Sequence, residues 1–116
     1  MAETPEGKIK AMVKRRLQEF SPLHFHFLPV SAGYGKHGIP DIIGCVFGIF
    51  VGIETKVPGK EPTALQEERL REIAKADGVA AVVHDRREME RVIDAICKHH
   101  ATGVSCGHIV NFDCSK

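Results

Sequence analysis

The spacing of hydrophobic and polar positions changes several times along the chain, and each change predicts a new element. Apolar residues recur at helical spacing over residues 5–20, and Thr4 suits the N-cap of that helix. Residues 23–28 alternate instead, as a strand does, with Phe25 and Phe27 on one face and the histidines on the other. The first thirty residues therefore predict a helix followed by a strand.

The run from Ile42 to Ile53 is almost wholly apolar, rich in β-branched residues and interrupted by glycines, which predicts two short buried strands and a tight turn. With Phe47-Gly48 as a two-residue turn, Asp41 lies directly opposite Glu54. Phe-Gly is not a preferred hairpin turn, so a bulge that shifts the register by one residue is an open alternative.

Helical spacing returns over 63–76, followed by a short apolar strand at 79–83. Asp85 with Glu88 resembles a capping box for a last helix that ends near Cys97. The predicted order is α-β-β-β-α-β-α, within one domain over residues 1–100. Residues 101–116 form a tail whose weak periodicity defines no structure.

Composition narrows the class of protein. The chain has 116 residues, 43% of them apolar, and no uninterrupted apolar stretch long enough for a membrane span. The acidic N-terminus does not look like a signal peptide. Four cysteines follow no disulfide rhythm, which predicts reduced thiols and a cytoplasmic location. Histidines and cysteines of residues 97–114 are zinc-compatible in type, but they lack paired ligand spacing.

Charge is distributed unevenly along the chain. The net charge is only +1, but residues 1–60 hold eight basic and five acidic residues, whereas residues 61–116 hold eight basic and ten acidic ones. A cation bound by acids of the first half would leave that half more positive. The first half is therefore the one suited to phosphate groups.

The candidate chemistry lies at the open end of the predicted hairpin. Asp41 opens the first strand, and Glu54 and Lys56 share a face at the end of the second. Two facing carboxylates repel each other at this distance, and a divalent cation between them removes the conflict. The alternative is a surface hairpin with a solvated ion pair, which the apolar flanks disfavour.

The spacing Pro40-Asp41 followed by Glu54-x-Lys56 resembles the PD-(D/E)xK nuclease superfamily. The flanking text, Gly35-x-x-Gly38-Ile39-Pro40-Asp41-Ile42 and Lys56-x-Pro58-Gly59-Lys60, is similar to its virus-type replication–repair nuclease (VRR-NUC) branch. The resemblance extends from about Thr4 to Val83. It implies an α/β fold of the restriction-endonuclease type: an αβββαβ core with a central mixed sheet flanked by helices, here with an added C-terminal helix.

The resemblance also implies a set of site residues. The catalytic residues would be Glu6, Asp41, Glu54, Lys56 and Gln66, and the ligands of Mg²⁺ or Mn²⁺ would be Asp41, Glu54, Glu6 and the carbonyl of Thr55. Glu6 extends the apolar stripe of the first helix, although a first-turn acid favoured by the helix dipole is the alternative. For Gln66 an ordinary helix residue is the alternative.

DNA contacts are predicted outside the carboxylate cluster. The candidates are Lys14, Arg15, Tyr34, Lys36, His37 and Lys60. The glycines around Lys36 and His37 permit a phosphate close to the backbone, and Tyr34 could stack on a base or sugar. Plain surface and loop residues are the alternative for each of them.

The resemblance implies a small metal-dependent endonuclease that acts in DNA repair on branched DNA such as four-way (Holliday) junctions. Similar proteins are homodimers of viral or phage type, which implies the host cytoplasm. The outer faces of strand 23–28 and of helix 86–97 are candidates for a dimer interface. The alternatives are a nuclease of flaps, nicks or single strands, and a non-catalytic DNA-binding scaffold.

Overall fold

The computed structural model describes residues 4–30, 37–103 and 108–112, which form three helices and five strands. The helices are α1 (Pro5–Gln18), α2 (Ala64–Lys75) and α3 (Arg86–Thr102). The strands are β1 (His24–Phe27), β2 (Ile42–Val46), β3 (Ile49–Thr55), β4 (Val79–Val83) and β5 (His108–Val110). The predicted α-β-β-β-α-β-α order is confirmed, with one further strand at its end. None of the described helices has the length and hydrophobicity to cross a lipid bilayer.

The five strands form one mixed sheet in the order β1-β2-β3-β4-β5. The first three are antiparallel neighbours, and β4 and β5 run parallel to β3. In the hairpin Ile42 pairs with Ile53, and Val46 pairs with Ile49. The predicted register is therefore confirmed, and the continuation of that register brings Asp41 opposite Glu54.

The hairpin turn is built from residues whose backbone conformation is unusual. Phe47 and Gly48 have φ values of 53° and 80°, which is the pattern of a primed two-residue turn. Glycine adopts this conformation freely, but phenylalanine does not. The Phe47 ring packs against Phe20 at 5.4 Å and stacks on His100 at 4.4 Å between ring centroids. These contacts anchor a turn whose sequence does not favour it.

One face of the sheet is covered by α1 and α3. Alternate residues of β2 and β3, such as Ile42 and Ile53, point toward this face and pack against Val13, Leu17 and Met89 of the two helices. All five of these side chains are at most 1% exposed. This face therefore holds the main hydrophobic core.

The other face of the sheet is covered only in part. Helix α2 packs over its β4 side, where Leu70 and Ala74 contact Ala80 and Val82. Over β1, β2 and the start of β3 the apolar side chains reach solvent: Phe25 is 68% exposed, Phe27 48% and Phe50 47%. We define the apolar patch as these three residues with Leu23 and Cys45, which are also exposed. The patch agrees with the prediction that the outer face of strand 23–28 carries surplus apolar residues.

The prediction for the last helix was wrong in two respects. Helix α3 continues to Thr102 and is capped by Gly103, whose φ of 64° is the left-handed C-cap conformation. Its outer face does not carry surplus apolar residues, because the whole stripe is buried in the core: Met89, Val92, Ile93 and Ile96. We therefore withdraw the outer face of α3 as an interface candidate.

The tail contributes a strand that the sequence did not predict. Residues 108–110 pair in parallel with β4, with Ala80 opposite Ile109 and Ala81 opposite Val110. Ile109 packs against the α2 side of the sheet, and Val110 packs against the main core. A three-residue strand is too short to show a period, so its place is set by these tertiary contacts.

Candidate active site

Asp41 lies immediately before β2, where the open end of the hairpin meets the end of β3. Its Oδ2 atom accepts two hydrogen bonds from Thr55, one from the backbone N at 2.9 Å and one from Oγ1 at 2.8 Å. Two donors on one oxygen fix the carboxylate and leave Oδ1 for another partner. The Thr55 hydroxyl is a positioning group that the sequence did not reveal, because Thr55 reads as the end of an apolar strand.

Glu54 is a charged residue in a buried position, with 2% of its surface exposed. Its Oε1 atom accepts a hydrogen bond from Gln66 Nε2 at 3.3 Å, and its Oε2 atom is buried with no hydrogen-bond partner among the described residues. Burial, followed by the neighbouring Asp41 carboxylate, raises the pKa of Glu54 to about 8, while Lys56 opposes the rise. A buried carboxylate with a free oxygen is costly for folding alone.

Gln66 links this carboxylate to the start of α2. Its Oε1 atom accepts a hydrogen bond from the backbone N of Thr63 at 2.9 Å, and its own backbone N donates to Thr63 Oγ1 at 3.2 Å. These two bonds form a capping box, so Gln66 is held by the helix terminus while its amide nitrogen reaches Glu54. The structure thus brings Gln66 to the site, as expected.

Two lysines flank the two carboxylates from different elements. Lys56 follows β3, and its Nζ atom lies 4.0 Å from Glu54 Oε1. Lys10 comes from α1, and its Nζ atom lies 3.8 Å from Asp41 Oδ1. Lys10 was not among the predicted site residues. The signal was available, because Lys10 is one helical turn after Glu6 on the side of α1 that turns toward the sheet.

Glu6 lies near this cluster without completing a ligand set. It is half-buried in the first turn of α1, and its charge contributes to the raised pKa of Glu54. Within residues 4–30, 37–103 and 108–112, no group of three His, Cys, Asp or Glu side chains is spaced to hold a metal ion. The carboxylate pair of Asp41 and Glu54 is therefore the centre of the site, and a direct ligand role for Glu6 stays a prediction.

The pair fits a magnesium-type cation. Such ions take one or two carboxylates from the protein and complete an octahedral shell with water and substrate phosphate oxygens. The available oxygens are Asp41 Oδ1 and Glu54 Oε2, the latter with no hydrogen-bond partner within the described part of the chain. A divalent cation would also offset the burial and the neighbouring Asp41 charge, which together raise the pKa of Glu54. The carbonyl of Thr55 as a further ligand stays a prediction.

Comparisons with known proteins agree with this geometry at the level of fold. No protein-family model and no curated protein matches the chain. Two solved structures do match, and both are described as VRR_NUC domains. The chain has the VRR_NUC fold. The first structure has a TM-score of 0.67 at 20% identity, and the match covers 79% of this chain and 97% of that structure's chain. The second has a TM-score of 0.57 at 18% identity, and the match covers 94% of this chain and 95% of that structure's chain.

The VRR_NUC fold matches the αβββαβ core with a mixed sheet that the residues and the resemblance predicted. The motif that carried the resemblance, Pro40-Asp41 with Glu54 and Lys56, lies together at one end of that sheet. At this level of identity the likeness establishes the fold alone. The chemistry therefore rests on the side chains described above.

Of the predicted DNA contacts on α1, Arg15 is exposed and Lys14 is half-buried. Lys14 lies near His26 of β1: burial, then His24 and Lys14, lower the pKa of His26. Lys14 is one turn beyond Lys10, so Glu6, Lys10 and Lys14 form a row along one side of the helix. This row leads from the carboxylates toward β1.

Two of the remaining predicted contacts, His37 and Lys60, lie in loops within the described residues. Lys60 and His37 are exposed. Their backbone carbonyl oxygens are held in place, that of Lys60 at 2.7 Å from His84 Nε2 and that of His37 at 3.1 Å from Arg69 Nε. Tyr34 and Lys36 lie outside the described residues.

An apolar groove of about 430 Å³ lies on the α2 side of the sheet. Its lining includes Pro40, the neighbour of Asp41, together with Ile43, Ile73 of α2 and Phe50 of the apolar patch. Glu54 and the patch residue Phe50 lie near opposite ends of β3 and point to the same face of the sheet, whereas Lys10 reaches the site from α1, which covers the other face.

Proposed function

We propose that this protein is a metal-dependent nuclease of the VRR_NUC family that hydrolyses phosphodiester bonds in DNA. The observation that carries the proposal is the Glu54 carboxylate, which is buried beside Asp41 with one oxygen unpartnered among the described residues. A purely structural role would leave this group as a net cost to stability. A role as a cation ligand would explain why a carboxylate is kept in this buried place.

A bound Mg²⁺ or Mn²⁺ supplies the chemistry that side chains lack, because it polarises the phosphodiester and lowers the pKa of water. Asp41 and Glu54 hold that ion in this proposal. The Lys56 ammonium group lies 4.0 Å from Glu54 Oε1, and in this proposal it stabilises the charge that develops on the phosphate. Gln66 keeps the Glu54 carboxylate oriented through its amide.

The row of lysines on α1 supports DNA as the substrate. Lys10 and Lys14 continue from the carboxylates along one side of the helix, and Arg15 is exposed beside them. Contacts to phosphates fix the position of a duplex and respond to its shape, but they carry no base sequence. We therefore propose structure-selective cleavage of branched DNA, with four-way junctions as the favoured substrate.

The apolar patch supports a homodimer. Leu23, Phe25, Phe27 and Phe50 expose far more apolar surface together than isolated surface residues do. Two-fold assembly buries the same patch on both subunits, and a stable interface covers about 800 Å² per partner. A two-fold dimer also provides two sites related by symmetry, which matches paired cleavage of a junction.

A cleavage assay tests the proposal. Labelled four-way junction, flap, nicked duplex, single strand and linear duplex of one sequence are incubated with the protein in Mg²⁺, in Mn²⁺ and in EDTA. We expect paired incisions in the junction that need the metal and that the Asp41→Asn variant does not make.

Each other result contradicts a part of the proposal. Faster cleavage of the flap or of the single strand would make that DNA the preferred substrate instead of the junction. Equal cleavage in EDTA would show that the reaction does not need a metal ion. Junction binding without cleavage in either metal would contradict the nuclease activity and would support a DNA-binding scaffold.

A further inference from the structure

The two oxygens of Asp41 have different neighbours. Oδ2 accepts both hydrogen bonds from Thr55, so the protein itself holds this atom. Oδ1 faces the ammonium group of Lys10, at 3.8 Å. The oxygen that is free to bind a cation is therefore the one that Lys10 approaches.

Lys10 and a divalent cation compete for this oxygen. Like charges a few ångströms apart repel strongly wherever water is partly excluded, and Asp41 is only 22% exposed. The Lys10 side chain is 33% exposed, and its four-carbon stem lets the ammonium group swing toward solvent. Asp41 keeps its position during this movement, because Thr55 holds Oδ2 independently of Lys10.

The row on α1 defines where the ammonium group can go. Lys10 lies between Glu6, beside the carboxylates, and Lys14, which turns toward β1. A phosphodiester brought to Asp41 and Glu54 would extend past this part of the helix with its adjacent phosphates.

We propose that Lys10 is a positioning residue that pairs with Asp41 in the metal-free protein and transfers to a DNA phosphate next to the cleaved bond when a cation binds. The exchange makes cation binding and DNA binding favour each other, because the cation releases the lysine that the phosphate uses. The inference rests on the nuclease function proposed above, and it adds a residue that the motif does not contain.

The first experiment measures Mn²⁺ binding without DNA, by electron paramagnetic resonance or calorimetry, for wild type and Lys10→Gln. Removing the competing ammonium group should tighten Mn²⁺ binding about three- to tenfold. Lys8→Gln is the matched control, because it removes the same charge from an exposed position two residues away on another side of α1. Its Mn²⁺ affinity should stay within about twofold of wild type, since exposed charges are screened.

The second experiment measures junction binding with Ca²⁺ in the site over a series of salt concentrations. Lys10→Gln should bind the junction more weakly, and the slope of log K against log salt should flatten by about one unit, as for one lost phosphate contact. Lys10→Arg should restore the slope, whereas Lys10→Met should behave like Lys10→Gln.

The two measurements must move in opposite directions. Tighter Mn²⁺ binding together with weaker, less salt-dependent DNA binding supports the exchange. Mn²⁺ binding that is unchanged or weaker in Lys10→Gln overturns it, as does an unchanged salt slope. If wild type itself binds no Mn²⁺, the proposed metal-dependent function fails, and the Lys10 variants are not the reason.

Discussion

The two faces of the central sheet differ in how completely they are used for folding. The face under α1 and α3 is closed, and its side chains, such as Ile53 and Met89, reach no solvent. The face under α2 is open over β1 and β2, with Phe25 at 68% exposure, and it carries the buried Glu54 at one end. One face satisfies the requirements of folding, whereas the other holds both a buried ionisable carboxyl group and exposed apolar groups.

This difference shows where function is located. The Glu54 carboxylate is buried, and its Oε2 atom has no hydrogen-bond partner among the described residues. Such a group and phenylalanines that face water both reduce the stability of a monomer. Both are found on the same face, which also carries the groove lined by Pro40 and Ile43. We infer that this face is completed by partners, a cation and DNA at one end and a second subunit at the other.

The largest expected effect comes from removing the carboxylates of the open face. Asp41→Asn and Glu54→Gln should each lower junction cleavage by about 10³-fold or more, because an anionic ligand is lost at constant volume. Neither should reduce stability in EDTA, and Glu54→Gln should increase it. Quantified cleavage and thermal melting test this, and near-normal cleavage by either variant would refute the assigned site.

A pH series in EDTA tests the charge on the same face. The folded-state pKa of Glu54 is about 8 against an ordinary value of 4.5, so the folded protein keeps a proton that the unfolded chain releases. Stability should therefore fall as pH rises from about 4.5 through 8, by up to about 4 kcal/mol. Urea denaturation at intervals of pH measures the slope.

Two variants serve as controls for this pH series. Glu54→Gln should flatten the dependence, because it removes the titrating group. Asp41→Asn should reduce it, because the second cause of the raised pKa is lost. A wild-type profile that is level from pH 5 to 8 would contradict the burial cost assigned to Glu54.

Truncations on the two faces should have opposite consequences. Met89→Ala leaves a cavity in the closed face and should cost about 2–5 kcal/mol of unfolding free energy. Phe25→Ser on the apolar patch should cost little in a monomer but should dissociate the dimer. Denaturation and sedimentation on both variants make the comparison. A wild type that sediments as a monomer near 12.8 kDa would remove the dimer from the proposal.

Lys56→Ala should lower cleavage by about 10²-fold, comparable with the loss of one preorganised group that stabilises the transition state. Junction affinity measured with Ca²⁺ should change much less than the cleavage rate, because Lys56 is directed at the reacting end of the site. A loss confined to affinity would instead make Lys56 a binding residue.

The smallest effects are expected along α1. Charge reversal at Lys14 or Arg15 should weaken junction binding and flatten the salt slope by about one unit for each lost phosphate contact, with Mn²⁺ affinity little changed. Unchanged salt dependence in both variants would place the DNA on another surface.

The hairpin and the site it carries were predictable because the local pattern was strong. A long apolar run with acids at matching ends permits few registers, and a shift by one residue would expose the core positions Ile42 and Ile53. The N-cap Thr4 was also predicted, since its side chain acts within one turn, whereas Thr63, predicted as the first residue of α2, is its N-cap.

Other features depend on packing that a single sequence does not display. The alternation at 23–28 gives two faces but does not say which of them a helix covers, so the exposure of Phe25 came from the structure. Strand β5 is placed by contacts with β4 and α2. Lys10 and the Thr55 hydroxyl were missed because their roles arise from distances between separate elements.

Gln66 connects the beginning of α2 to the Glu54 carboxylate through the hydrogen bonds of one side chain. Both ends of one amide are engaged, its oxygen by Thr63 and its nitrogen by Glu54. Fraying of the first helical turn therefore releases the carboxylate, and ionisation of the carboxylate strengthens its bond to the helix. Amide hydrogen exchange at the start of α2 would thus record the protonation state of a side chain on a neighbouring strand.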